Sequence, residues 1–225
     1  MIPWQQLAQA EVPGENAPLL LSRRGAEFAI RIGSRALMSS AAHGSEEALA
    51  ELACARIADR AQARVLIGGL GMGYTLAAAL PQLAPSAQVE VAELIPAVVE
   101  WNRGPLGHLA DWPLEDRRVS VWVGDVADRI RATSAAYDAI LLDVDNGPNG
   151  ITRAINDWLY SVAGLSAAFV ALREGGVLGV WSVAPDREFT RRLVQVGFRV
   201  EEESVRARRT KGGRHMLWLG TRADG

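Results

Sequence analysis

The sequence predicts an α/β protein: a seven-stranded, mostly parallel sheet with a C-terminal antiparallel hairpin and a small N-terminal β extension. Three observations carry this expectation. From about residue 64 onward, short apolar runs alternate with stretches of helical periodicity, the pattern of βαβ units. The last two strand-like runs have no helix between them, so they should pair as a hairpin. The stretch "VLIGGLGMGYTLAAAL" (65–80) passes from an apolar strand through Gly68, Gly69, Gly71 and Gly73 into an alanine-rich helix. Glycine is costly to immobilise, so four in six positions imply that something approaches the backbone closely there.

Taken in order, residues 1–18 read as irregular, with Pro3, Pro13, Gly14 and Pro18 as breakers. "LLLSRRGAEFAIRIG" (19–33) reads as two short strands about a turn at Arg24-Gly25. Residues 1–44 are therefore expected to form a β-hairpin extension ahead of a main domain spanning 45–225. Ser45 to Ala61 is a strong helix signal, with Ser45 as a cap, acids in the first turn and apolar residues at helical spacing. "RVLIGG", "VEVAEL", "VSVWVGD", "YDAILLDVD" and "GVLGVWSV" then read as five successive strands. The helices between and after them run to about Leu80 and through "PAVVEWNR", "VADRIRAT", "INDWLYSVAGLSAAFVAL" and "DREFTRRLVQV". "FRVEEESV" and "HMLWLG" form the final pair around the basic turn "RARRTKGGR".

Composition narrows the function. With 24 Lys+Arg against 26 Asp+Glu, the net charge of −2 gives no general attraction to nucleic acid. The single cysteine, Cys54, excludes a disulfide framework and a cysteine zinc site, and fits a reducing compartment. The N-terminus lacks the basic start and apolar run of a signal peptide, and no apolar run is long enough to span a bilayer. A cytoplasmic protein with neither nucleic-acid nor membrane partners is expected.

In open α/β sheets, ligands bind at the carboxyl ends of strands, and acids fall there four times in this chain. Gly69, Gly71 and Gly73 form a GxGxG loop between strand and helix, where absent Cβ atoms let a nucleotide cross the strand end; a tight turn with no ligand is the plain alternative. Glu93 ends the second strand, where a carboxylate can accept from both ribose hydroxyls, or simply face solvent. Asp125, with the backbone of Val126, can read an adenine edge, cap the next helix, or do both. Asp143 ends the fourth strand and Asp145 follows, either in a cleft or as a turn-forming pair. A dinucleotide site would want its third glycine one residue later. GxGxG followed by an acid, Asp and Asp on successive strands is the pattern of the Rossmann-like class I S-adenosylmethionine-dependent methyltransferase fold.

Within that fold the chain resembles the spermidine/spermine synthase (polyamine aminopropyltransferase) family from about Ala26 to about Gly179. "VLIGGLGMGYTL" is similar to the family's G-G-G-D-G-G-T-L loop, "VEVAELIPAVVEWNR" to its ribose segment, "VSVWVGDVADRI" to its adenine segment and "YDAILLDVDNGPNGI" to its D-S-S-D segment. The resemblance implies that Glu93 binds ribose, Asp125 binds adenine and Asp143 is the catalytic carboxylate of the D-S-S-D segment. It further implies decarboxylated S-adenosylmethionine as donor, methylthioadenosine as product, an amine acceptor, and a homodimer. An acidic pocket for that acceptor would draw on Asp143, Asp145, Glu46 and Glu47, the last two through a loose match of Ser45-Glu46-Glu47 to the family's Y-H-E segment.

The chain also departs from the family. The loop acid that holds the aminopropyl amine falls on Met72, D-S-S-D-P becomes Asp143-Val144-Asp145-Asn146-Gly147-Pro148, and the glutamine after the fifth strand becomes Trp181. Met72 removes a repulsion against the carboxylate of full S-adenosylmethionine, whose methyl transfer leaves S-adenosylhomocysteine. The expectation is a transferase with an S-adenosyl-type donor and no metal; the alternatives are a small-molecule methyltransferase and a non-catalytic nucleotide-binding homologue. Trp158 and Tyr160, after the Asp143 loop, are candidates to line the acceptor pocket, and His43, ahead of the first helix, either lines that pocket or is a loop residue. His108 and His215 have no metal-ligand spacing, and Arg206, Arg208, Arg209, Lys211 and Arg214 read as a solvated basic turn.

Overall fold

The computed structural model describes residues 2–13, 17–33, 35–144, 157–208 and 210–223. Asp145 and Arg209 lie outside these.

Two sheets build the molecule. The first is antiparallel, with β1 (Gln5–Ala10), β2 (Leu19–Arg24), β3 (Glu27–Ile32) and β4 (Arg35–Ser39) in spatial order β1-β2-β3-β4. The expected hairpin is thus its centre, β2 and β3, turning at Gly25 with φ +62°. The outer strands were not legible in sequence. Strand β1, "QQLAQA", is mostly exposed and falls in the stretch read as irregular, because its backbone ladder to β2 rather than an apolar face supports it.

The second sheet has seven strands in spatial order β10-β11-β9-β8-β5-β6-β7. These are β5 (Arg64–Gly68), β6 (Gln88–Glu93), β7 (Val119–Val123), β8 (Tyr137–Leu142), β9 (Leu172–Ser182), β10 (Phe198–Arg208) and β11 (Lys211–Arg222). Strands β5 to β9 run parallel, while β11 is antiparallel to both β9 and β10. Strands β5 and β8 are buried almost throughout, as a parallel sheet covered on both faces requires. The chain order reverses at β5, between β6 and β8, so a crevice opens at their carboxyl ends.

Helices α1 (Gly44–Ala55), α2 (Tyr74–Ala79) and α3 (Pro96–Asn102) belong to the core on one face. Helices α4 (Val126–Arg131), α6 (Val162–Ala171) and α7 (Arg187–Val196) belong to the core on the other. The N-terminal sheet contributes Leu19, Leu21, Phe28, Ile30 and Ile32 to the first of these cores.

Several boundaries correct the sequence reading. Helix α1 stops at Ala55, not Ala61, and its cap residue is His43; Ser45 lies inside the first turn and uses its hydroxyl elsewhere. The long helix expected over 155–172 is divided. A short α5 (Asp157–Tyr160) ends at Ser161, whose Oγ accepts from the Gly164 N–H and starts α6 afresh. Strands β10 and β11 extend into the basic segment, so Arg206, Arg208, Lys211 and Arg214 lie on the hairpin strands.

Candidate functional site

The glycine loop follows β5 and is shaped by what touches it. Gly69 has φ +87°, and a Cβ there would stand 2.4 Å from the carbonyl oxygen of Asp143. Gly71 has φ +53°, and its Cβ would meet the Met38 sulfur at 2.9 Å. Protein atoms thus make two of the close approaches that the sequence pattern implied. Gly73 caps α2 with φ +85°, and Met72 is buried in the core, so it offers no polar group to the cleft.

Glu93, at the tip of β6, is almost fully buried. Its Oε2 accepts from the Leu70 N–H and its Oε1 from the Ile95 N–H, both at 2.9 Å. One carboxylate therefore ties the glycine loop to the approach of α3. Asp125, after β7, accepts from the Ala127 N–H through Oδ1 at 2.9 Å and caps α4, as the plainer reading held. Asp143, after β8, accepts from the Thr75 hydroxyl through Oδ2 at 2.5 Å. Burial pushes its carboxyl up to about 6, with the Thr75 bond pulling the other way.

These tips share one crevice. Gly69, Gly71, Glu93, Asp125, Val126, Asp143 and Val144 line a cleft of about 770 Å³, counted to its open mouth. Its opposite wall comes from the N-terminal sheet, through Leu19, Ile30, Ile32, Leu37 and Met38. Sequence reading missed this wall, since an apolar residue that faces a ligand alternates along a strand just as a core residue does. Thr75 was missed as well; its place two residues beyond Gly73 was the available signal.

A second group of side chains gathers at the start of α1. Glu47 accepts from His43 Nδ1 at 2.9 Å, and the His43 ring stacks on Tyr74 with centroids 4.1 Å apart. Glu46 Oε2 is out of contact with water and has no hydrogen-bond partner among the described residues. Burial, then the charges of Asp143 and Glu47, hold Glu46 well above the usual carboxylate range. Burial and the same two glutamates push the Tyr74 phenol up to about 12.

Trp158 and Tyr160 do not line the cleft. Trp158 lies under the Arg131 guanidinium, 3.7 Å from its ring centroid, and Tyr160 is buried. The Tyr160 hydroxyl donates to the Val144 carbonyl at 3.1 Å, so it braces the strand end from behind. Among the described residues no group of three or more His, Cys, Asp or Glu could hold a metal ion. No helix among them is long and apolar enough to cross a membrane.

No family model and no curated protein matches the chain by sequence. Solved structures do. One is a spermidine synthase in complex with the transition-state analogue AdoDATO, at TM-score 0.74 and 17% identity, covering 97% of this chain and 72% of that one. The chain has the spermidine synthase fold. A spermidine synthase from Thermotoga maritima aligns at TM-score 0.73 and 17% identity, over 97% of this chain and 73% of that one. An O-methyltransferase family protein from Burkholderia thailandensis gives TM-score 0.55 and 16% identity, over 81% of this chain and 56% of that one. The spermidine synthase fold thus accounts for both sheets, whereas the methyltransferase likeness covers less of the chain.

Proposed function

We propose that this protein is a transferase that binds an S-adenosyl-type nucleotide in the cleft and delivers an alkyl group to an amine. One observation carries the reading: Glu93, Asp125 and Asp143, from three strand tips, converge with Gly69 and Gly71 on a single cleft. In this reading Glu93 takes the ribose hydroxyls, Asp125 and Val126 take the adenine edge, and the apolar wall covers the nucleoside. The spermidine synthase bound to a transition-state analogue supports a donor of this kind.

An aliphatic amine, with a pKa of about 10.4 by analogy with lysine, arrives protonated. The partnerless oxygen of Glu46, a carboxyl that feels the charge of Asp143, favours such a cation at the acceptor side. After losing a proton, the amine nitrogen attacks the carbon next to the sulfonium. The carbon–sulfur bond breaks, and its electron pair stays on sulfur as a neutral thioether. Asp143 orients the amine and receives its proton; most of the acceleration comes from alignment.

Methyl transfer from S-adenosylmethionine is a second reading, and Met72 favours it. The buried thioether leaves this part of the loop without an acid to pair an aminopropyl ammonium or to repel a methionine carboxylate. Calorimetry with S-adenosylmethionine, its decarboxylated form and methylthioadenosine separates the readings. Tighter binding of the decarboxylated donor supports aminopropyl transfer, and preference for the full donor supports methyl transfer. If none of the three binds, the nucleotide reading is wrong.

A further inference from the structure

The first turn of α1 is gripped on both sides of Glu46. Ser45 is buried, and its Oγ accepts from Trp181 Nε1 at 3.0 Å and pairs with His215 Nδ1 at 2.8 Å. Trp181 stands on β9 and His215 on β11, 170 residues along the chain from Ser45, and their rings meet edge-on at 4.7 Å. On the other flank Glu47 is held by His43, which lies against Tyr74. Between these anchors Glu46 keeps its buried, partnerless oxygen. A buried carboxylate oxygen without a hydrogen bond is costly, and such an arrangement survives only where neighbours over-determine it. In a helical turn, fixing the side chain of one residue restricts the direction in which the next projects.

We propose that Ser45 and His215 are positioning residues: their contact, with Trp181, keeps Glu46 turned toward Asp143 and makes the C-terminal hairpin part of the acceptor side. The functional half of this rests on the reading of Glu46 as an acceptor-facing carboxylate. Among the described residues, the titratable groups that bear on this turn are Asp143 from the β8 tip, Tyr74 from α2, Glu47 and His43 at its own helix start, and His215 from β11. Burial lowers His215, so at neutral pH its ring is uncharged.

Two measurements test the tether. Carbon-13 NMR of the glutamate carboxyls, with Glu46 assigned by Glu46→Gln, follows its titration in the wild type, Ser45→Ala, His215→Leu and His215→Asn. In Ser45→Ala and His215→Leu the Glu46 midpoint should fall by a pH unit or more as the freed carboxylate reaches water. His215→Asn, whose amide oxygen replaces Nδ1, should restore it. An unmoved midpoint in folded Ser45→Ala and His215→Leu overturns the proposal; if either fails to fold, Trp181→Phe removes one bond and is read the same way.

The second measurement is calorimetry of 1,4-diaminobutane into protein saturated with methylthioadenosine. Diamine affinity should drop about tenfold in Ser45→Ala while methylthioadenosine affinity holds; equal diamine affinity in wild type and variant overturns the positioning role. If the wild type itself binds no diamine, the amine reading fails, and the NMR result alone decides the tether.

Discussion

Asp143 is pulled in two directions, by a low-dielectric setting that disfavours its charge and by a Thr75 hydroxyl that favours it. Burial prevails and the carboxyl moves from 3.8 to about 6. The folded state therefore keeps a proton that the unfolded chain has already released. Stability falls as pH rises from about 4 to about 6, and the penalty is complete above that range. Asp143→Asn has no charge to desolvate, so it should melt higher than wild type at pH 8, with the gap closing toward pH 4. In the proposed function, the same variant should lose turnover by roughly 10²- to 10⁴-fold, together with the rise of wild-type rate through pH 6. Thermal melts and a pH–rate profile check both halves, and a lower melting point at pH 8 would contradict the assignment. Gly69 poses a steric question instead. With φ +87° and the Asp143 carbonyl in the way, Gly69→Ala should cost roughly 3 kcal/mol, read by denaturant unfolding.

Glu93 works at the scale of elements, because its two oxygens join the glycine loop to the start of α3. Gln has only one acceptor oxygen, so Glu93→Gln leaves one backbone N–H facing an NH₂ group. The expected cost is roughly 1–3 kcal/mol in unfolding free energy. In the proposed function, nucleotide affinity measured by calorimetry falls with it. The opposite end of the sheet has its own clamp. Buried Asp138 pairs with Arg60 at 2.6 Å and Arg173 at 2.8 Å, and accepts from the Arg64 N–H at 2.7 Å. Both arginines keep partial contact with water, so Asp138→Ala should cost roughly 3 kcal/mol, the lower end for a broken buried pair. The central elements were legible because β5, β6 and β8 are apolar runs with acids or glycines at their ends. Strands β1 and β4 were not, since edge strands of a small sheet carry weak side-chain signals and depend on the neighbouring ladder. The break at Ser161 was hidden for a related reason: the apolar pattern continues through it, and only the cap marks it.

At the scale of the whole molecule, the cleft belongs to two sheets. One contributes the strand-tip acids and the glycine hinge; the other closes over them with an apolar wall, and Met38 meets Gly71 where the two touch. In the proposed function, Met38→Ala should therefore weaken binding of methylthioadenosine by about tenfold, the loss expected from an apolar contact of this size. The melting point should change little, because Met38 is only partly buried. Unchanged affinity in calorimetry would mean that the wall is only scaffold.

Local pattern alone determined the alternation of strand and helix, the antiparallel end of the sheet, and the strand tips that bear Glu93, Asp125 and Asp143. Those features depend on periodicity, turn chemistry and the position of a residue within its own segment, all of which are local. Which partners meet was decided by tertiary structure alone. Neither the wall of Leu19, Ile30, Ile32, Leu37 and Met38, nor the reach of His215 to Ser45, nor the withdrawal of Trp158 and Tyr160 from the cleft follows from spacing. Each depends on how distant segments pack, and sequence periodicity carries no term for contacts between residues far apart along the chain.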